Sequence, residues 1–189
     1  MRIHETAITG CYEIAPDRFK DERGLFVKTF RDDFFADNGL ETRFAEQYYS
    51  FSYRHVIRGL HFQTPPWEHV KLVYCVSGNV TDAVVDLRSG SPTYGRFAML
   101  DLSADKGNML YIPAGLAHGF CVRSQDALLV YNVSTSYSPL HDKGIRWDSA
   151  GIPWPVRDPV VSDRDRGFPG LDEFASPFAY PMGGVDRRE

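Results

Sequence analysis

Residues 70–88 read VKLVYCVSGNVTDAVVDLR. Two apolar runs of strand length, VKLVYCVSG at 70–78 and NVTDAVVDLR at 79–88, meet at Gly78-Asn79, a pair of turn-forming residues. In the second run the two-residue period of a strand puts Val80, Asp82, Val84 and Asp86 on one face and Thr81, Ala83, Val85 and Leu87 on the other. Both faces are largely apolar. An unpaired buried carboxylate is costly, so Asp82 and Asp86 belong at the mouth of a barrel, inside it with partners, or on a solvated strand end.

Runs of the same kind recur on both sides: GLFVKTF (24–30), FAEQYYSFS (44–52), GRFAMLDLS (95–103), NMLYIPA (108–114), HGFCVRS (118–124) and ALLVYNVS (127–134). Each is bounded by Gly, Pro, Asp or Asn, and short strands at such spacing predict an all-β sandwich or barrel. Only RDDFFADNG (31–39) reads as a helix, opened by Arg31, Asp32 and Asp33 and closed by Asn38-Gly39. From Trp147 onward Pro153, Pro155, Pro159, Pro169, Pro177 and Pro181 interrupt any long element. This tail reads as an irregular segment laid over the barrel and loose after about Pro177, since the final GGVDRRE has nothing to bury.

A chain of 189 residues suits one domain spanning 1–189 and can bury roughly two-thirds of its unfolded surface. At 43% hydrophobic and 24% charged it is ordinary globular material. The net charge of −4, with cations scattered among as many acids, argues against nucleic acid as a partner and leaves a small anionic ligand open. Cys11, Cys75 and Cys121 are too few and too far apart for a disulfide framework or a paired-cysteine metal site, and read as buried free thiols. Neither the start MRIHETAITGCYEI nor any later run has the apolar length of a signal or a membrane span, so a soluble cytoplasmic protein is expected.

IPAGLAHGF (112–120) sets Pro113, Gly115 and His118 at the spacing of the second half of a cupin motif, P-x-G-x-x-H. The first half of a metal-binding cupin would bring a pair of histidines and a glutamate. Here His61-Phe62-Gln63 puts an amide where the second imidazole belongs, with Glu68 and His69 following. Two histidines and a carboxylate can still hold iron or zinc, so a metal-dependent cupin oxygenase or isomerase is one reading. By itself, His61 in RGLHFQ (58–63) is a metal ligand, a proton carrier or a packed core histidine.

Six segments taken in order, RGLHFQ, VKLVYCVSGNVTDAVVDLRSGSPTYGRF, LYIPAGLAHGF, LLVYNVSTSYSP, KGIRWD and VVSDRD, resemble the nucleotide-sugar 3,5-epimerase family, typified by dTDP-4-dehydrorhamnose 3,5-epimerase. The resemblance runs from about residue 17 to 171. It implies a cupin-type β-barrel (jelly roll), a strand-exchanged homodimer, and no metal or other cofactor. The implied reaction inverts C3, C5 or both of a nucleotide-linked 4-keto-6-deoxy sugar. The family's default is dTDP-4-dehydro-6-deoxy-D-glucose, giving dTDP-4-dehydro-L-rhamnose. Both carbons flank the C4 carbonyl, so loss of either proton gives an enolate whose charge a nearby cation stabilises. Inversion then needs a base on one face of the ring and an acid on the other.

Carried over residue by residue, His61 resembles the base and Asp165 the carboxylate behind it, with Asp163 the competing partner. Lys71 resembles the cation near the enolate and Tyr131 the acid. Arg23 and Arg58 match positions that hold the diphosphate, Phe19, Phe26 and Tyr137 aromatic contacts, and His118 a polar contact. The strand carrying Arg23 and Phe26 is expected to complete the neighbouring subunit's site. Three positions depart from the family pattern near the nucleotide: Lys28 replaces a glutamate, Tyr48 an asparagine and Glu46 a glutamine. A lysine cannot accept a hydrogen bond from thymine N3–H, whereas a lysine beside Glu46 would suit guanine or cytosine, so a GDP- or CDP-linked sugar is the alternative substrate. A sugar-binding barrel that kept the pocket and lost the chemistry is a further class, disfavoured by the intact set of His61, Lys71, Tyr131 and an aspartate.

Overall fold

The computed structural model describes residues 1–180. The chain opens with β1 (Arg2–Glu5), β2 (Tyr12–Ala15), β3 (Arg18–Asp21) and β4 (Gly24–Val27), followed by helix α1 (Asp32–Asp37). Then come β5 (Glu46–Tyr53), β6 (Ile57–Gln63), β7 (Lys71–Ser77), β8 (Asn79–Asp86) and β9 (Phe97–Ser103). The last elements are β10 (Met109–Ile112), β11 (Leu116–Val122), β12 (Asp126–Val133), β13 (Asp142–Gly144) and helix α2 (Asp163–Arg166).

A six-stranded sheet runs β1-β2-β10-β7-β12-β5, a five-stranded sheet β13-β6-β11-β8-β9, and β3 and β4 pair with each other as a separate ribbon. Every one of these strand pairs is antiparallel. The two larger sheets face each other as a jelly roll, the expected all-β fold. The chain changes sheet repeatedly, and the two strands of residues 70–88 therefore lie on opposite sides of the core. Gly78 makes that corner at φ +76°, where a Cβ would stand 2.1 Å from the Asp126 carbonyl oxygen.

Between the sheets, Val73, Cys75, Leu110 and Leu129 of one pack against Val80, Val84, Leu102, Phe120 and Val122 of the other. The outer face of β8, with Ala83, Val85 and Leu87, packs against Ile145, Ile152, Trp154 and Phe178 of the C-terminal segment. That cover explains why both faces of β8 are apolar. The two carboxylates of β8 are buried with partners: Asp82 meets His118, and Asp86 accepts from Arg88, Ser91 and Thr93. Helix α1 sets Phe35 against Ile14, Leu72 and Tyr111 on the outside of the six-stranded sheet. All three cysteines are buried and free, and burial pushes the Cys11 thiol up to about 12.

Some elements differ from expectation. The strand in GLFVKTF stops at Val27. RDDFFADNG is not the only helix, because Ser162 caps a second one, α2, by accepting from the Asp165 N–H at 3.1 Å. The tail is held farther than expected: Ser89 N–H donates to the Phe178 carbonyl and Tyr180 N–H to that of Ser89, both at 2.9 Å, and Phe178 is buried. The remainder of the segment read as loose, including GGVDRRE, lies outside the described residues. Among the described residues no helix is long and apolar enough to cross a membrane.

The glycine in RGLHFQ has a close neighbour. Gly59 lies at φ +138°, where a Cβ would come within 2.6 Å of the Gly119 Cα, and a Cβ on Gly119 would come within 2.6 Å of the Arg58 carbonyl oxygen. Strands β6 and β11 therefore touch where neither carries a side chain, beside a shift in register between His118 and Phe120. The contact makes His61 and His118 register partners. Gly119→Ala, which adds one methyl where backbone already stands, is expected to lower unfolding free energy by about 2–3 kcal/mol. The check is a urea midpoint that falls at constant m-value; an unmoved midpoint would mean that the strands part at no cost.

Candidate active site

A cavity of about 480 Å³ opens between the two sheets. Alternate residues of several strands line it: Glu46, Tyr48 and Ser50 of β5, His61 and Gln63 of β6, and Tyr131 and Val133 of β12. Arg58, Lys71, His118, Tyr137, Asp142 and Arg164 complete most of the remaining wall. His61 comes from the five-stranded sheet and Tyr131 from the six-stranded one, so the two open onto one cavity from opposite sides.

His61 Nε2 lies 2.7 Å from Asp165 Oδ1, and the Gly59 N–H donates to Asp165 Oδ2 at 3.0 Å. Asp165, the third residue of α2, is buried, whereas Asp163 is exposed, so it is Asp165 that meets the imidazole. Burial works to raise the Asp165 carboxyl, but hydrogen bonds from His61 and Gly59 and the nearby Arg164 charge outweigh it and hold the group below the usual carboxylate range. An ionised Asp165 keeps the imidazole proton on Nε2. Nδ1 is left as the nitrogen with a free lone pair.

Lys71 is buried at the start of β7 and its Nζ donates to the His61 carbonyl at 3.1 Å, reaching from one sheet to the other. Burial pulls its ammonium down to about 8 against the opposing pull of Asp142 and Asp82. Tyr131 is buried as well, its hydroxyl 3.1 Å from Ser50 Oγ, its ring stacked on Tyr48 and edge-on to His118. Burial pushes this phenol far above the ordinary range, with Ser50 opposing, so it is a neutral hydroxyl that holds its proton. His118 in turn places Nε2 at 2.9 Å from Asp82 Oδ2, and burial raises that carboxyl while His118 and Lys71 oppose.

His61 and His118 thus each commit one ring nitrogen to a buried carboxylate. Among the described residues no three His, Cys, Asp or Glu side chains converge as a metal ion would require. His69, the other histidine of that reading, is pulled down to about 3 by burial and by Lys71, and among the described residues neither its buried Nε2 nor Glu68 Oε2 has a hydrogen-bond partner.

Residues 5–173 match the family described as dTDP-4-dehydrorhamnose 3,5-epimerase. The chain belongs to this family. It is 41% identical over 168 residues to the dTDP-4-dehydrorhamnose 3,5-epimerase of Shigella flexneri, covering 87% of this chain and 93% of that one. It is also 39% identical over 169 residues to the dTDP-4-dehydrorhamnose 3-epimerase of Streptomyces niveus, covering 88% and 82%. The crystal structure of a dTDP-6-deoxy-D-glucose-3,5-epimerase from Legionella pneumophila, in complex with dTDP-4-keto-L-rhamnose, superposes with a TM-score of 0.90 at 32% identity, over 95% of this chain and 98% of that one.

Of the residues singled out in the sequence, His61, Lys71, Tyr131, Glu46, Tyr48, Arg58, His118 and Tyr137 line the cavity, and Asp165 stands behind His61. Arg58 is held by Ser52 Oγ at 2.8 Å, and Glu46 accepts from the Tyr137 N–H at 3.0 Å. Phe19, Arg23 and Phe26 sit on the β3–β4 ribbon, with Lys28 just beyond it; none of the four lines the cavity of its own chain. Lys28 and Glu46 therefore do not share a cavity wall within one chain.

The sequence reading missed Ser50, Asp142 and Arg164. Arg164 Nη2 donates to Asp142 Oδ2 at 2.6 Å and lies over the Phe168 ring. A usable signal existed for the choice between Asp163 and Asp165: Ser162-Asp163-Arg164-Asp165 is a helix-capping pattern that points the first and third helical residues in different directions. Titration of Lys71 followed by NMR at its ε carbon is expected to give a midpoint of about 8. A midpoint at the ordinary lysine value would show that water reaches this ammonium.

Proposed function

We propose that this protein is an isomerase that inverts C3, C5 or both of a dTDP-linked 4-keto-6-deoxy sugar through an enolate. The default substrate is dTDP-4-dehydro-6-deoxy-D-glucose and the product dTDP-4-dehydro-L-rhamnose. The observation that carries this reading is the placement of a histidine–carboxylate pair and a buried phenol on opposite walls of one cavity, with a buried ammonium reaching across. Names borne by relatives supply the nucleotide and the sugar.

In this reading His61 Nδ1 takes the proton from C3 or C5. The C–H pair becomes the enolate, whose charge settles on the C4 oxygen near the Lys71 ammonium. Tyr131 then gives its proton to the opposite face of the same carbon, the C4 carbonyl reforms, and the phenolate left behind can accept from Ser50. Exchange with solvent returns a proton to Tyr131 and removes one from His61. Asp165 stabilises the imidazolium and fixes which nitrogen is the base. Arg58 holds a phosphate oxygen, and Tyr137 and His118 contact the substrate. No step calls for a redox cofactor.

The β3–β4 ribbon supports a homodimer by strand exchange. Among the described residues it pairs only with itself, leaves Phe19, Leu25 and Phe26 exposed, and carries residues expected at a site that they do not reach in their own chain. The outer edge of the six-stranded sheet, β5, likewise exposes Tyr49, Phe51 and Tyr53. A second copy that lays its ribbon against this edge would cover both apolar surfaces and deliver Arg23 to the cavity.

Two experiments test this reading. In deuterated water, His61→Asn is expected to abolish exchange at both carbons, whereas Tyr131→Phe continues to exchange and loses inversion. Exchange at near wild-type rate in His61→Asn would remove His61 as the base. Mixing Arg23→Ala with His61→Asn, each impaired alone, is expected to return activity, because a mixed dimer holds one whole site; no gain on mixing would place the ribbon outside the neighbouring site.

A further inference from the structure

Tyr48 and Tyr131 are direct partners across the β5–β12 pair. Their ring centroids are 4.9 Å apart and their planes 16° from parallel, the one stacked aromatic pair among the described residues. Tyr131 meets His118 only edge-on, at 6.2 Å and 69°. Ser50, two residues along β5 on the same face, reaches the Tyr131 hydroxyl. One hydrogen bond to a phenol oxygen fixes how far that oxygen lies from its partner and leaves the ring free to tilt about it, because the terminal torsion of a tyrosine is broad. A second ring lying flat on the first removes that freedom.

We propose that Tyr48 is the positioning residue of the protonating face: stacking on Tyr131 fixes the plane of the phenol and so sets how often the enolate is protonated with inversion rather than returned to its starting configuration. The inference rests on Tyr131 being the acid. It assigns a task to a position where the family pattern has asparagine, which has no ring to stack. The Tyr48 hydroxyl has no hydrogen-bond partner among the described residues, and the ring is 45% exposed although it lines the cavity. What Tyr48 offers Tyr131 is its face.

The chemistry gives a readout that isolates this role. Once His61 has taken the proton, the enolate has two fates: protonation from the His61 side, which restores the original centre, or transfer from Tyr131, which breaks the phenol O–H bond, forms the new C–H bond and inverts the centre. The ratio of these fates is set after substrate has bound and lost its proton. Weaker binding or a lower fraction of folded enzyme therefore cancels from it. A small tilt that moves the phenol oxygen by a fraction of an ångström acts on the second fate alone.

The experiment uses the dimeric enzyme and the dTDP-linked 4-keto sugar in deuterated water. At each carbon, deuterium found with retention is compared with deuterium found with inversion. Tyr48→Leu, which keeps bulk and loses the aromatic face, is expected to lower the inversion-to-retention ratio by about tenfold, and Tyr48→Phe to keep it within about twofold of wild type. Tyr48→Thr, which suits a strand, is read in the same way should the leucine variant not fold. Ratios in Tyr48→Leu and Tyr48→Thr equal to wild type, with Tyr131→Phe exchanging but not inverting, would overturn this inference and leave the proposed reaction standing. Inversion that survives in Tyr131→Phe would overturn both.

Discussion

One buried carboxylate ties the molecule together. Asp165 accepts from the Gly59 backbone and from His61, which lie 106 and 104 residues earlier in the chain. Those two bonds anchor α2, part-way along the C-terminal segment, to β6 and set the proton on one side of an imidazole. Leaving such a carboxylate in the interior without partners would be costly, so the segment cannot detach without exposing or orphaning it. Structural closure and the chemical state of His61 are the same event. The Gly59–Gly119 contact is its precondition, because only a strand without a side chain at 59 can bring its N–H to Asp165 while touching β11.

Around this anchor the cavity uses burial to shift charge. Lys71 is brought down toward neutrality, Tyr131 is pushed up, and His69 is kept neutral, each with desolvation as the leading cause. A lysine near 8 remains mostly charged at neutral pH, yet water competes little for it. A phenol pushed far up keeps its proton until a strong base such as an enolate carbon takes it. The same dry wall therefore prepares an electrophile and an acid without any group dedicated to tuning either. The Asp82 carboxylate acts on both, its charge favouring the protonated form of Lys71 and of Tyr131.

The fold was legible where side chains alternate. In NVTDAVVDLR both faces read as apolar, and the structure covers one with the opposite sheet and the other with Ile145, Ile152 and Phe178. Short polar strands were not legible: RIHE, RFKD and DKG have no apolar period, and they are strands because a neighbour offers an edge. In the site, residues inside marked motifs were found, and Asp165 was separable from Asp163 only through the phase of a four-residue helix. Asp142 and Arg164 carry no local signal, since tertiary packing alone makes one the partner of the other. Tyr48 departs from the family pattern, but its stacking on Tyr131 is a cross-strand relation that no single strand's sequence contains.

The chain crosses between the sheets again and again, and this gives the cavity a calibre. Two sheets packed face to face stand about 10 Å apart, a distance set by the side chains that fill the gap. With His61 on one wall and Tyr131 on the other, Leu129, Val84 and Leu102, which do not line the cavity, help set how far apart those walls stand. A bulkier or leaner layer there would change the clearance for substrate while every group bordering it stayed the same. Divergence in this scaffold can therefore proceed through its filling, with aliphatic volume as the variable on which selection for a different sugar acts.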